Sequence, residues 1–217
     1  MRDKARYDVT CDTEPSSSIH QHPVSLSPSG QATSRFACLT YHRLGDREEQ
    51  YTVSESQLEG QLKFLGSEGY SVGDFEDLET RLASGGRFPP RYVVLTADDG
   101  HSSSMRLADL YERYGCNATF FVIRDRSLSR PGYVFPAEIR QLQQRRFTFG
   151  THGATHRKLT FISDWECREE LRASKCWLED LLGQEIRWMA APGGYLNWRV
   201  QRIAEELGIT ATHCVAG

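Results

Sequence analysis

The sequence predicts an α/β fold in which about seven parallel strands form a barrel-like sheet. From residue 35 onward, short apolar runs typical of buried strands alternate with apolar residues at helical spacing. This alternation favours parallel βα units over a β-sandwich or a helical bundle. At 217 residues, the chain is long enough to bury one substantial core, so we expect one folded domain.

The first 34 residues differ from the rest of the chain. Serine, proline, glutamine, histidine and threonine are frequent there, and the apolar residues show little periodicity. Such a composition is typical of a flexible segment. We therefore divide the chain into a flexible polar tail, 1–34, and a folded domain, 35–217.

The predicted elements alternate along the folded domain. Strands are expected at 36–41, 70–72, 91–97, 118–123, 147–149, 187–190 and 209–211. Helices are expected at 54–66, 74–83, 102–114, 137–145, 163–183 and 198–207. Two helices begin with a capping box, Ser54 with Gln57 and Ser163 with Glu166, and Gly183 is a typical helix end.

Two adjacent carboxylates follow the apolar strand 91–97. Asp98 and Asp99 precede Gly100, so both lie at the carboxyl end of a buried strand, where α/β proteins gather ligands and catalytic groups. Neighbouring residues of a strand point in opposite directions, so the two aspartates can have different roles. Taken alone, an Asp-Asp-Gly segment is more often a turn with solvated acids.

A second motif, His152 and His156, comes directly after the predicted strand 147–149. On one helical turn, this spacing puts both imidazoles on the same side, and imidazole is a ligand for zinc, nickel, cobalt or iron. Such a pair is ordinary by itself. If the strands are parallel, however, the histidines and the aspartates meet at one edge of the sheet. Two histidines and one carboxylate form a three-ligand set that leaves a position open for water.

A third motif, Ala190-Ala-Pro-Gly-Gly194, follows another predicted strand. Pro192 fixes the turn, and the glycines let backbone N–H groups come close to a ligand. The turn is therefore a candidate oxyanion donor. Without the other two motifs, we would interpret it as a plain βα turn.

Together the three motifs resemble those of the polysaccharide deacetylases, also called carbohydrate esterase family 4 or the chitooligosaccharide-deacetylase homology domain. Thr96-Ala-Asp-Asp-Gly100 resembles the family's Thr-Phe-Asp-Asp-Gly, and 152–156 resembles its His-x3-His metal motif. Ala190-x-Pro-x-Gly194 stands in the place of its Arg-x-Pro-x-Gly. Leu39-Thr-Tyr-His42 resembles the exopolysaccharide-type branch, and the resemblance extends over 36–211.

The resemblance implies a deformed (β/α) barrel that removes N-acetyl groups from an amino-sugar polymer or oligosaccharide with one divalent metal ion. Position by position, it makes Asp98 the catalytic base and the backbone N–H of Gly193 the oxyanion donor. It makes Asp99, His152 and His156 the metal ligands. Zinc is the expected metal, with nickel, cobalt or iron as alternatives. The domain 35–217 is then a polysaccharide deacetylase-like catalytic domain.

The sequence departs from the family pattern at several points. Ala190 stands where many members have an arginine that orients the base, so we expect Asp98 to be less fixed and its pKa to be higher than in those members. The sequence stops at Gly217 without the family's Asp-Trp and Leu-x-His segments, of which the latter carries the acid. Whether the chain closes the barrel, and which group acts as acid, therefore stays open at this stage.

Two further residues are candidates for contact with the substrate. His42 lies at the end of a predicted strand, and Tyr195 follows the glycine turn, where an aromatic ring can stack on a sugar. The alternatives are a solvated or hydrogen-bonded imidazole for His42 and a core anchor for Tyr195. Trp165 and Trp198 have the same two interpretations as Tyr195, a ring that stacks on a sugar or a core anchor.

The composition argues against several classes of protein. A net charge of −3 and the lack of a basic run argue against nucleic-acid binding. No segment approaches the roughly 20 apolar residues of a transmembrane helix. No apolar signal segment is visible near the N-terminus, so a cytoplasmic location is the default expectation. The six cysteines include no Cys-x-x-Cys pair, which favours buried free thiols.

Two other functions stay open at this stage. The missing C-terminal motifs would also fit a non-catalytic relative that binds a glycan or a partner, although a binding module has little need for the full set of carboxylates and histidines. The same kind of barrel also hosts metal-dependent amidases that act on small cyclic amides, and the fold alone does not separate them. The particular sugar and the oligomeric state are left open.

Overall fold

The structure is a computed structural model that describes residues 35–46 and 49–213. The predicted flexible tail, 1–34, lies outside the described residues, and so do 47–48 and 214–217. For 211–213, the backbone is described without the side chains.

Nine strands and seven helices follow one another along the described part of the chain. The strands are β1 (Ala37–Tyr41), β2 (Arg43–Leu44), β3 (Thr52–Val53), β4 (Ser71–Gly73), β5 (Tyr92–Ala97), β6 (Thr119–Val122), β7 (Thr148–Thr151), β8 (Trp188–Ala190) and β9 (Ala211–His213). The helices are α1 (Glu55–Ser67), α2 (Phe75–Ala83), α3 (Ser104–Arg113), α4 (Arg124–Ser129), α5 (Pro136–Gln144), α6 (Asp164–Leu182) and α7 (Trp198–Glu206). Every predicted strand and helix is present, whereas β2, β3 and α4 were not predicted.

Seven of the strands form one sheet in which all pairings are parallel. The order is β1-β5-β6-β7-β8-β9. Strand β4 pairs with the first half of β5, on the same side of β5 as β6, which pairs with the second half. Among the described strands, no pairing joins β1 to β9, so the described sheet is an incomplete barrel. The predicted α/β fold with a sheet of parallel strands is therefore confirmed.

The sheet is buried on both faces, as parallel sheets generally are. Phe120 and Phe121 are neighbours on β6 and point to opposite sides. Phe120 belongs to the larger core, between the sheet and helices α1, α3 and α5, whereas Phe121 packs against Phe75 on the other side. A third apolar cluster lies around α6 and α7. The sheet is therefore a packed support for the loops at the carboxyl ends of its strands.

The predicted helix boundaries rest on side-chain caps that the structure contains. The Ser54 hydroxyl accepts a hydrogen bond from the backbone N–H of Gln57, and Ser163 accepts one from Glu166 in the same way. Each glutamine or glutamate returns a bond to the cap residue, which completes the capping box. Helix α6 ends at Gly183, whose φ of +65° lies in the left-handed region that favours glycine.

Two expectations from the composition concern the cysteines and membrane-spanning helices. Cys116, Cys167 and Cys176 are free thiols, and of these Cys116 and Cys167 are buried. Cys11 and Cys214 lie outside the described residues. Within the described part, no helix combines the length and the apolar character that a membrane crossing requires.

Candidate active site

The candidate site lies where the carboxyl ends of β5 and β7 meet. These strands flank β6 in a parallel sheet, so both end at the same edge. Asp99 lies two residues beyond β5, and His152 directly follows β7. One ligand atom from each of Asp99, His152 and His156 can be chosen so that all three lie within 4.8 Å of one another. The structure thus brings together the first two motifs of the sequence.

The three side chains present their ligand atoms to one another. Asp99 Oδ1 lies 3.3 Å from His156 Nε2 and 3.6 Å from His152 Nε2, and the two Nε2 atoms are 3.2 Å apart. Although Asp99 Oδ1 is buried, it has no hydrogen-bond partner among the described residues. A buried carboxylate oxygen normally has such a partner, and a cation would satisfy it. One oxygen and two nitrogen donors therefore fit a divalent metal ion.

The orientation of His152 is fixed by a hydrogen bond to β8. Its Nδ1 lies 2.9 Å from the carbonyl oxygen of Ala190, and since a carbonyl only accepts, Nδ1 carries the proton. This leaves the lone pair of Nε2 pointing at Asp99 and His156, the arrangement of metal-ligating histidines. Burial, together with the neighbouring His156, lowers the pKa of His152 to about 3, so the ring is neutral at ordinary pH.

The segment that carries both histidines is a loop, so the expectation of a helical turn was wrong. Gly153 has a φ of +79° and His156 a φ of +68°, both outside the helical region of φ. The two imidazoles still face each other, with ring centroids 4.8 Å apart. The shared direction that we inferred from helical spacing is produced by the loop.

Asp98 and Asp99 lie in different environments, as their positions after a strand suggested. Asp98 is 1% exposed, and its backbone N–H continues the β1–β5 ladder by donating to the carbonyl oxygen of Tyr41. Asp99 has a φ of +71°, so the chain turns sharply between the two carboxylates. Burial, and then the charge of Asp99, raises the pKa of Asp98 well above its ordinary value. Asp98 Oδ1 has no hydrogen-bond partner among the described residues.

The glycine turn lies beside the histidine loop. Gly193 has a φ of +70° in the turn Pro192–Gly194, which a hydrogen bond from Gly194 N–H to Ala191 closes. A Cβ atom added to Gly153 would lie 3.6 Å from the Pro192 side chain, so the loop and the turn are in close contact. The glycine turn therefore contacts the loop that carries the two histidines.

The two predicted substrate contacts, His42 and Tyr195, have different neighbours. His42 is half-buried, with its ring 4.8 Å from that of Tyr51. Burial lowers the pKa of His42, while the charge of Asp99 acts in the opposite direction. Tyr195 packs beside Gly193 and is 43% exposed, so it is not a core anchor. Trp165 and Trp198 are also exposed, which rules out that alternative for them as well.

Sequence reasoning missed two charged residues at the site. Arg126, on the unpredicted α4, lies 3.6 Å from Asp99 Oδ1 and 3.4 Å from His156 Nδ1 and donates to the Tyr133 hydroxyl. Glu170 is a buried acid of α6 that accepts hydrogen bonds from the histidine loop. Neither belongs to a local motif, so no sequence signal pointed to them.

Fold and site together define a parallel α/β domain with an Asp-His-His cluster and a buried carboxylic acid at the carboxyl edge of its sheet. Residues 85–212, more than half of the chain, match the family model for polysaccharide deacetylase. The chain therefore belongs to the polysaccharide deacetylase family, and the resemblance inferred from the three motifs is confirmed.

Curated relatives and solved structures agree with this assignment. The peptidoglycan-N-acetylglucosamine deacetylase PgdA of Listeria monocytogenes is 31% identical over 119 residues, which are 54% of this chain and 24% of the relative. The chain thus spans about a quarter of the length of the curated relatives that it matches. A polysaccharide deacetylase from Bacillus cereus superposes with a TM-score of 0.70 at 25% identity, covering 84% of this chain and 57% of its own.

Two further solved structures share the fold at lower identity. The Streptococcus pyogenes deacetylase PplD, solved in complex with acetate, has a TM-score of 0.74 at 23% identity and covers 83% of this chain and 82% of its own. IcaB from Ammonifex degensii has a TM-score of 0.74 at 21% identity, and the match covers 84% of this chain and 83% of IcaB. At these identities, the likeness supports the fold alone.

Proposed function

We propose that the domain is a metal-dependent hydrolase that removes N-acetyl groups from an amino-sugar polymer or oligosaccharide. The observation that carries the proposal is the convergence of Asp99, His152 and His156 beside the buried Asp98 in a polysaccharide deacetylase fold. The Listeria relative, which its name describes as a peptidoglycan-N-acetylglucosamine deacetylase, supports the choice of an acetylated amino sugar.

Asp99, His152 and His156 would hold the metal ion. The Asp99 oxygen without a hydrogen-bond partner among the described residues and the fixed tautomer of His152 support this assignment. Zinc suits a set of two imidazoles and one carboxylate, and nickel, cobalt or iron are the alternatives. A divalent ion bound there would supply Lewis acidity toward an acetamide carbonyl and toward water.

Asp98 would be the general base. Its raised pKa makes it a better proton acceptor than an ordinary aspartate, and its partnerless Oδ1 is available to take a proton from the attacking water. Asp99, and not Asp98, belongs to the metal-ligand set, so Asp98 can accept the proton while the set stays complete. Of the two adjacent carboxylates, Asp98 would transfer the proton and Asp99 would bind the metal ion.

The backbone N–H of Gly193 would stabilise the negative charge that develops on the acetamide oxygen. The contact between the turn that carries Gly193 and the histidine loop supports this role. A donor held in this way costs no reorganisation during the reaction. His42 and Tyr195, whose ring packs beside Gly193, would contact the sugar.

A substrate panel tests the proposal. Metal-stripped protein, reloaded with zinc, would be assayed for acetate release from acetylated chitooligosaccharides and peptidoglycan fragments and for hydrolysis of small cyclic amides. We expect acetate release that depends on zinc and no turnover of the cyclic amides. Hydrolysis of cyclic amides alone would contradict the proposal in favour of an amidase. Binding of glycans without any turnover would contradict it in favour of a non-catalytic relative.

A further inference from the structure

Helix α6 buries one carboxylate against the loop that carries the two histidines. Glu170 is 8% exposed, although its neighbour Glu169 on the same helix is partly exposed and pairs with Arg172. A buried carboxylate is costly unless hydrogen bonds compensate for the lost water. The contacts of Glu170 therefore indicate what it does.

Among the described residues, the hydrogen bonds to Glu170 all come from the stretch between His152 and His156. Its Oε2 accepts from the backbone N–H groups of Ala154 and Thr155, at 3.0 and 2.9 Å. Its Oε1 accepts from the Thr155 hydroxyl at 2.6 Å. Hydrogen bonds to an ionised acceptor are the stronger kind, so this carboxylate holds the loop at three points.

The loop needs such support because its backbone makes neither helix nor strand contacts between the histidines. Both Gly153 and His156 have positive φ, which a residue other than glycine adopts rarely. On the other side of the loop, N–H groups at the start of α4 donate to the carbonyl oxygens of Gly153 and Ala154. Helix α4 thus holds the carbonyl groups, and Glu170 holds the N–H groups.

We propose that Glu170 is a positioning residue for the metal centre. By fixing the backbone between the two histidines, it sets the separation of their Nε2 atoms, now 3.2 Å, and so the geometry that they offer a divalent ion. The inference rests on the proposed function, since it takes His152 and His156 as the metal ligands. It adds a residue that touches neither the ion nor the substrate.

Zinc affinity and the cobalt spectrum of the whole chain test this role. Glu170→Gln keeps the shape of the side chain but replaces the carboxylate with a neutral amide that has one accepting oxygen. With that oxygen at the backbone N–H groups of Ala154 and Thr155, the NH2 group faces the Thr155 hydroxyl, so the loop loses its charged acceptor and the hydroxyl no longer donates. Glu169→Gln is the matched control, because it removes a carboxylate from the adjacent position at the surface. For each protein, zinc affinity would be measured by competition with a chromophoric chelator. The absorption of the cobalt(II)-substituted protein would report ligand geometry independently of activity.

We expect Glu170→Gln to bind zinc about 10- to 100-fold more weakly, in line with other outer-shell residues, and to alter the cobalt(II) absorption bands. Glu169→Gln should match the wild type in both. If Glu170→Gln fails to fold, Thr155→Val, which removes only the hydroxyl contact, should weaken zinc binding by a smaller factor. Wild-type zinc affinity and an unchanged cobalt spectrum in folded Glu170→Gln, or in Thr155→Val where that variant replaces it, would overturn the inference. Lack of zinc binding by the wild type would instead contradict the proposed function.

Discussion

His152 Nδ1 donates a hydrogen bond to the carbonyl oxygen of Ala190, over 2.9 Å, and so ties the end of β7 to the end of β8. Ala190 lacks the side chain that many family members use to orient the base, yet its backbone orients a metal ligand. The bond sets the tautomer of His152 and aims Nε2 at Asp99. The site is therefore built from the carboxyl ends of neighbouring strands, and the predictions below follow from that construction.

Replacing Asp98 should slow the reaction and leave zinc binding nearly unchanged. We expect Asp98→Asn to lower kcat by about 10²- to 10⁴-fold, the usual contribution of a general base. Zinc affinity should remain within about threefold of the wild-type value, a margin well below the loss that follows from disturbing a ligand. Steady-state acetate release and chelator competition measure the two quantities. Asp109→Asn, at an exposed ion pair on α3, is the control. Loss of zinc in Asp98→Asn would show that Asp98 is itself a ligand.

The buried Asp98 should also make the stability of the metal-free protein depend on pH. Because burial raises its pKa above the ordinary 3.8, the folded chain holds this proton more tightly than the unfolded chain does. Below pH 3.8, the carboxyl is protonated in both states and does not change the free energy of unfolding. As the pH rises from 3.8 toward the folded-state pKa, it lowers that free energy progressively. Metal-free Asp98→Asn should be more stable than metal-free wild type at neutral pH, and the difference should shrink as the pH falls. Urea unfolding across a pH series measures it, and a difference that is independent of pH would contradict the assignment.

Gly193→Ala should damage the glycine turn in two ways. The alanine would have to adopt a φ of +70°, which costs about 1–2 kcal/mol. Its Cβ atom would also lie 3.3 Å from the Tyr195 ring. We expect that loss of stability together with a fall in kcat of at least about tenfold, because the N–H donor is displaced.

Gly115→Ala is a matched control for this change. Gly115 has a similar φ of +65°, but an added Cβ would meet no heavy atom within 4 Å. Thermal unfolding should show a comparable destabilisation in both variants, and acetate release should fall only in Gly193→Ala. Equal activity in the two variants would exclude the turn as an oxyanion donor.

Tyr195→Ala should affect binding of the sugar more than the chemistry. Its ring is exposed, meets Phe161 edge-on at 5.5 Å and lies under the Lys158 ammonium group at 4.4 Å, so it is held in one orientation. We expect KM to rise about 2- to 10-fold, the range that corresponds to about 0.5–1.5 kcal/mol for an aromatic contact. Phe64→Ala, at an exposed ring on α1, is the control. A fall in kcat at unchanged KM would contradict a binding role.

The strands and the three motifs could be predicted because each depends on local sequence. The apolar run before Asp98 needs only periodicity to be assigned as a strand, and the alternation of elements indicates parallel pairing. From there, it follows that Asp99 and His152 meet at one edge of the sheet. The capping boxes at Ser54 and Ser163 were predicted for the same reason, since each is complete within four residues.

The parts that were missed depend on distant residues. The conformation of 152–156 is set by Glu170 on α6 and by the N–H groups of α4, and neither is visible in the local spacing of the histidines. Helix α4 itself has six residues, most of them polar, so it shows no apolar periodicity. Strands β2 and β3 have two residues each, which is too short for any pattern.

The metal content of the whole chain, measured for the wild type and for His152→Ala, tests whether the domain is a metal-dependent hydrolase. We expect one divalent ion bound per wild-type chain, with acetate released from acetylated chitooligosaccharides. His152→Ala, which removes one of the three ligands, should lose both the ion and the activity while its fold is retained. A wild-type chain that binds no ion after addition of zinc, nickel, cobalt or iron would contradict a metal-dependent mechanism, and so would a His152→Ala chain that keeps both its metal and its activity.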